Sequence, residues 1–71
     1  MEVMVFKTTV DTSLGVRQLK PLLDSMAGSN KWNFALDDCD RILRVVSRNI
    51  APHQVIHLLT NNGFQCMELE D

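Results

Sequence analysis

His53 and His57 are spaced so that both could bind one metal ion. On a helix, residues four apart lie on the same side, so the two imidazoles could chelate a divalent ion such as zinc or nickel. The residue after His53 is Gln54 and not glutamate, so the zinc-protease signature with its general base is absent. Because Val55 and its apolar neighbours predict an inward face elsewhere on this helix, we expect the pair to face solvent.

Cys39 and Asp40 are the other candidate metal ligands, in the acidic segment 37–40. The neighbouring carboxylates disfavour a thiolate, so Cys39 is a poor nucleophile unless metal is bound. Together with Asp11, these carboxylates could also hold calcium or magnesium if they converge, although turn formation and helix capping explain them as well. The second cysteine, Cys66, is expected to face the core as a small apolar residue.

Composition excludes several other functions. The 71 residues include seven basic and nine acidic side chains, a net charge of −2, which argues against nucleic acid as a partner. No polybasic segment or long apolar run indicates membrane attachment, and no basic segment precedes an apolar run at the start, so we expect a cytoplasmic protein. The chain has no tyrosine, no Ser-His-Asp spacing and no phosphate-binding glycine loop. We therefore expect a non-enzyme without a cofactor.

The order of elements follows from apolar spacing. Residues 3–9 alternate as a strand, and a helical stripe then runs from Leu14 to a stop at Gly28, with a kink expected at Pro21. Segments 31–36 and 41–46 predict a hairpin with its tip at 37–40. A second helix begins at Pro52 and ends at Asn62-Gly63, and residues 64–69 form a last strand.

This order predicts a single α+β domain over residues 1–71 with a ferredoxin-like βαββαβ fold. Its four-stranded antiparallel sheet has the strand order 4-1-3-2 and carries both helices on one face.

The order of elements, the length and the Asn62-Gly63-Phe64 entry to the last strand resemble the heavy-metal-associated domain of copper chaperones and metal-pump N-termini. The segments 8–12 and 36–46 resemble a group of short bacterial proteins related to that family. In the family, Met-x-Cys-x-x-Cys between the first strand and first helix binds copper. Aligning the helical stripes places the two cysteine positions at Thr12 and Gly15, and the methionine at Val10. A metal ion is therefore not expected at this loop.

Five residues mark a possible interaction face on the sheet side away from the helices. The face contains Ile42, Arg44, Val46, Met67 and Leu69. This holds if the residues that alternate with the first three along the third strand point at the helices. A one-residue shift in register would reverse every side chain. The third strand has no aromatic residue for stacking RNA bases, as the RNA-recognition motif would need.

The sequence thus predicts a protein interaction module that binds a protein partner or forms a homodimer through this face. One alternative is a metal-binding or metal-transport accessory protein using Cys39 with the aspartates, or the histidine pair. The other is a small-molecule-binding regulatory domain.

Overall fold

The computed structural model describes residues 3–35, 41–47 and 50–69, and its elements follow the predicted order. The strands are β1 (Val3–Thr8), β2 (Trp32–Ala35), β3 (Ile42–Val46) and β4 (Cys66–Leu69); the helices are α1 (Ser13–Ala27) and α2 (Pro52–Asn61). The predicted α+β class and βαββαβ order are confirmed. The predicted hairpin tip at 37–40, with Cys39 and Asp40, lies outside the described residues.

The four strands form one antiparallel sheet in the order β2-β3-β1-β4, which is the predicted order read from its other edge. Phe6 of β1 lies opposite Leu43 of β3, and Met4 lies opposite Val45, so these four buried side chains share one face. The buried side chains of both helices join them in one core cluster: Leu19, Leu23, Val55 and Leu59. Both helices therefore cover the same face of the sheet.

Helix α1 begins and ends where its capping residues predict. Thr12 is the N-cap, and its Oγ1 accepts a hydrogen bond from the Gly15 backbone N–H at 3.1 Å. Gly28 follows the last helical residue with a φ of 98°, a backbone conformation that glycine adopts without steric cost. The helix continues through Pro21, whose side chain is exposed. The predicted kink at this residue stays a prediction.

Helix α2 begins at Pro52, as predicted, and buries Val55 and Leu59. Strand β4 begins at Cys66, so its predicted start at residue 64 is wrong. The Phe64 N–H donates to the carbonyl of Leu59 in α2, at 2.9 Å, and therefore closes the end of the helix before the strand begins. The half-buried Phe64 side chain packs against the core.

Candidate interaction face

The sheet face opposite the helices, here called the open face, is defined by the strand register. Val5 lies opposite Arg44 and Leu69, and Arg44 lies opposite Asn33; Lys7 lies opposite Met67 and Ile42. With the alternating residues of each strand, these pairs define the open face as Val3, Val5, Lys7, Asn33, Ala35, Ile42, Arg44, Val46, Met67 and Leu69. All five residues named from the sequence lie on this face, and their role in an interaction stays a prediction.

Exposure is uneven across the open face. Val3, Met67 and Leu69 have 58%, 64% and 37% of their surface exposed, and all three are apolar. Ile42 is only 9% exposed, because it lies on a central strand between Lys7 and Ala35 on the flanking strands. Among the apolar members, the edge strand β4 and the start of β1 therefore contribute most of the accessible surface, and Ile42 contributes little.

Arg44 lies at the centre of this face and is exposed. It borders an open depression at the start of β2 and the end of β3, which is also lined by Val3, Asn30, Lys31, Trp32, Asn33 and Val46. Neither cationic side chain, Arg44 or Lys31, hydrogen-bonds or pairs with another described residue. The sequence pattern did not indicate a binding role for Asn30 or Lys31, because Asn30 lies in the turn after α1 and Lys31 was assigned only to the predicted strand.

The loop before α1, where the resemblance would place copper ligands, is closed by packing. Val10 is fully buried, and Gly15 is buried beside it. A Cβ atom added to Gly15 would lie 3.1 Å from Val10 Cγ1 and 3.3 Å from Phe64 Cζ. With the Thr12 hydroxyl accepting from the Gly15 N–H, the described side chains of this loop serve packing and helix capping and present no thiolate or thioether ligand.

The Thr12 cap yields a first prediction. Thr12→Ala removes the acceptor of the Gly15 N–H, and we expect the free energy of unfolding to fall by about 1 kcal/mol. Urea denaturation followed by circular dichroism would measure this loss. Ser13→Ala, one residue later on the exposed first turn, is the matched control and should change stability by less than about 0.5 kcal/mol. Equal losses in the two variants would contradict a capping role for Thr12.

Two threonines at the end of β1 join three parts of the chain, and no sequence motif indicated this. Buried Thr8 donates through Oγ1 to the Arg41 carbonyl at 2.8 Å and accepts from the Val10 N–H at 3.2 Å. The neighbouring Thr9 donates its backbone N–H to the Gln65 carbonyl, and its Oγ1 accepts from the Gln65 N–H at 2.9 Å. The end of β1 is thereby tied to the start of β3 and to the entry of β4.

Cys66 faces the helices, as predicted, because it lies opposite buried Thr8 and packs against the core. Burial raises the pKa of its thiol to about 11, so the thiol is protonated at neutral pH. A protonated, half-buried thiol is a weak nucleophile and a weak metal ligand. Cys66 is therefore a structural residue in this fold.

The histidine pair lies on the exposed side of α2, as predicted. The ring centroids of His53 and His57 are 6.4 Å apart and their planes meet at 83°. Within residues 3–35, 41–47 and 50–69, no group of three or more His, Cys, Asp or Glu side chains is arranged to hold a metal ion. Among the described residues, His53 and His57 are therefore two solvent-exposed imidazoles without a third metal ligand. The other candidate ligands, Cys39 and Asp40, lie outside these ranges.

Asp24 of α1 anchors the edge strand β2, a contact that the sequence did not reveal. Its carboxylate accepts a hydrogen bond from the Trp32 indole Nε1–H at 2.9 Å, and Lys20 Nζ lies 3.2 Å from Oδ2. The Trp32 hydrogen bond lowers the pKa of Asp24, desolvation partly opposes this shift, and Lys20 adds to it. The Trp32 ring also meets Phe34 edge to face, with centroids 5.9 Å apart.

This contact predicts acid sensitivity at β2. Since the pKa of Asp24 is lower in the folded than in the unfolded chain, its contribution to stability is present above about pH 4 and is lost as the pH falls through the folded pKa. Trp32 is the only tryptophan, so its emission between pH 6 and pH 2 reports the change directly. We expect Asp24→Asn to abolish the transition and Asp11→Asn to leave it unchanged. An unaltered transition in Asp24→Asn would contradict this assignment.

Comparison of the chain with protein-family models, with curated proteins and with solved structures finds no match. No helix in the described part of the chain is long and apolar enough to cross a membrane. The ferredoxin-like topology therefore rests on the observed strand order and register.

Proposed function

We propose that this chain is a non-enzymatic protein interaction module that binds its partner through the open face of the sheet. The observation that carries the proposal is the exposure of Val3, Met67 and Leu69 on a face that neither of the described helices covers. Apolar side chains grouped on one surface of a small protein mark a contact site more often than isolated exposed ones do. Burying them against a partner is worth about 25 cal/mol per Å² of apolar surface.

The composition of the face also fits a protein contact. Arg44 lies opposite Val5 on one side and Asn33 on the other, and arginine is enriched among the residues that contribute most to binding. The aromatic residues of the described strands belong to the side of the sheet that faces the helices, because they lie opposite inward-facing residues of β3. These aromatic residues are Phe6, Trp32 and Phe34. The open face thus has no described stacking platform for nucleic-acid bases.

We further propose that the chain is a divergent member of the heavy-metal-associated superfamily that has kept the scaffold without the copper ligands. Support comes from the βαββαβ order and from the Asn62-Gly63-Phe64 turn. At the positions of the family's ligands stand buried Val10, the cap residue Thr12 and Gly15, which packs against Val10 and Phe64. In this protein the loop supports the fold, and the binding function lies on the sheet.

The experiment compares Met67→Glu with Leu14→Glu. Both place a carboxylate at an exposed apolar residue, but Leu14 lies on α1, away from the open face, and is 74% exposed. Sedimentation velocity over micromolar to millimolar concentrations measures self-association, and quantitative cross-linked capture from the source cell measures binding to other proteins. We expect Met67→Glu to abolish an association that the wild type and Leu14→Glu both retain.

The two measurements separate the kinds of partner. Concentration-dependent dimers that Met67→Glu disrupts would make the partner a second copy of this chain. A monomer with a captured protein lost only in Met67→Glu would make it a different protein. A monomeric wild type that captures the same proteins as both variants would overturn the proposal.

A further inference from the structure

The depression beside Arg44 has the chemistry of an anion site. The exposed residues Arg44 and Lys31 line it, together with Asn30 and Asn33, which are also exposed. None of the described residues that line it is acidic. Neither Arg44 nor Lys31 forms an ion pair within the described ranges, although the whole chain carries more acidic than basic residues.

The apolar residues of the depression restrict which anion suits it. Val3 and Val46 are opposite one another on β1 and β3, and both line the same depression. An anion bound here would therefore contact apolar surface on one side and a guanidinium on the other. A carboxylate fits the planar fork of arginine through two parallel hydrogen bonds, and an aliphatic chain attached to it would cover the valines.

We propose that this depression binds an aspartate or glutamate side chain of the partner, carried on an otherwise apolar segment that lies across the open face. This inference rests on the proposed function and names the chemistry of the partner. It favours a different protein over a second copy, because the described part of the open face carries basic residues and no acidic one. Face-to-face packing of two copies would bring like charges together.

The test uses the full chain labelled with ¹⁵N and two capped seven-residue peptides. One alternates valine with glutamate, and the other alternates valine with glutamine. We expect the glutamate peptide to shift the amide signals of Lys31, Asn33 and Val46 saturably. Arg44→Gln should weaken this binding by about tenfold or more, because it removes the charged donor of the hydrogen bonds to the carboxylate.

Arg17→Gln is the matched control, because it removes the same charge from an exposed residue of α1 that borders a different depression beside β2, with Trp32 and Asn33. It should bind the glutamate peptide within about twofold of the wild type. Since Arg44 is exposed, we expect both variants to retain the wild-type pattern of amide signals, which verifies the fold.

Free glutarate and inorganic phosphate are the probes for a small anion. Saturable binding of either one, as tight as that of the glutamate peptide, would overturn a protein partner as the source of the carboxylate. Equal affinity for the two peptides, or an Arg44→Gln variant that binds like the wild type, would overturn the carboxylate contact. If the carboxylate contact is overturned but Met67→Glu still abolishes the association of the chain, the proposed function stands. If Met67→Glu also has no effect, both the proposed function and the carboxylate contact are overturned.

Discussion

We expect Thr8→Val to lower the free energy of unfolding by about 2 to 3 kcal/mol. The substitution conserves side-chain volume but leaves the buried Val10 N–H without its acceptor, and it removes the hydrogen bond from Thr8 to the Arg41 carbonyl. An unpaired buried polar group costs about 1 to 3 kcal/mol. A domain of this size is typically stabilised by only about 3 to 5 kcal/mol, so the variant should be partly unfolded at 37 °C.

Chemical denaturation and thermal melting both measure this effect, with a fall in melting temperature of about 4 to 8 °C for each kcal/mol. Thr8→Ser keeps the hydroxyl and should retain most of the stability. Thr9→Val also removes a hydroxyl that accepts a backbone N–H, but Thr9 is exposed, and the Gln65 N–H can then bond to water. If Thr9→Val lowers the free energy of unfolding as much as Thr8→Val does, burial of the Thr8 hydrogen bonds is not the cause of the loss.

The second large effect is expected for Gly15→Leu, at about 2 to 3 kcal/mol of lost stability. The Cβ of any substituent already approaches Val10 Cγ1 and Phe64 Cζ at 3.1 Å and 3.3 Å, and the rest of a leucine side chain has to displace one of them. Val10 is fully buried, so it cannot move into solvent. The displacement would separate the start of α1 from the entry of β4.

Ser13→Leu is the matched control for Gly15→Leu, because it adds a larger side chain to the exposed first turn and should change stability by less than about 0.5 kcal/mol. Gly15→Ala gives an intermediate case, in which better helix propensity, about 1 kcal/mol, offsets the close contacts. The three variants are compared by urea denaturation. A Gly15→Leu protein as stable as the wild type would show that this loop has room for a larger side chain.

Apolar spacing in the sequence was sufficient to predict the order of elements and the strand order of the sheet. The alternation in β3 placed Leu43 and Val45 inward, and the three- and four-residue spacing placed Leu19 and Leu23 of α1 inward. These patterns are local, and each one has a single face that can be buried, so they favour one register over its one-residue shift. The prediction that Ile42, Arg44, Val46, Met67 and Leu69 share a face depended on this alternation and on the strand order that the βαββαβ order implies.

Contacts between residues distant in the chain were decided only by the tertiary structure. Thr8 reaches Arg41, and Gly15 meets Phe64, only because the sheet and helices bring these segments together. Ile42 lies on the predicted face but is covered by its strand neighbours, which alternation alone does not reveal.

The depression beside Arg44 is also formed only by the tertiary structure. Arg44 lies on β3 and Lys31 follows the turn after α1, and they border one depression because Lys31 precedes β2, which pairs with β3. By itself the sequence determined which side chains face the helices and which face away, since that depends on periods of two and 3.6 residues. Which of those outward side chains are accessible, and which polar groups gather beside Arg44, depended on how separate elements pack.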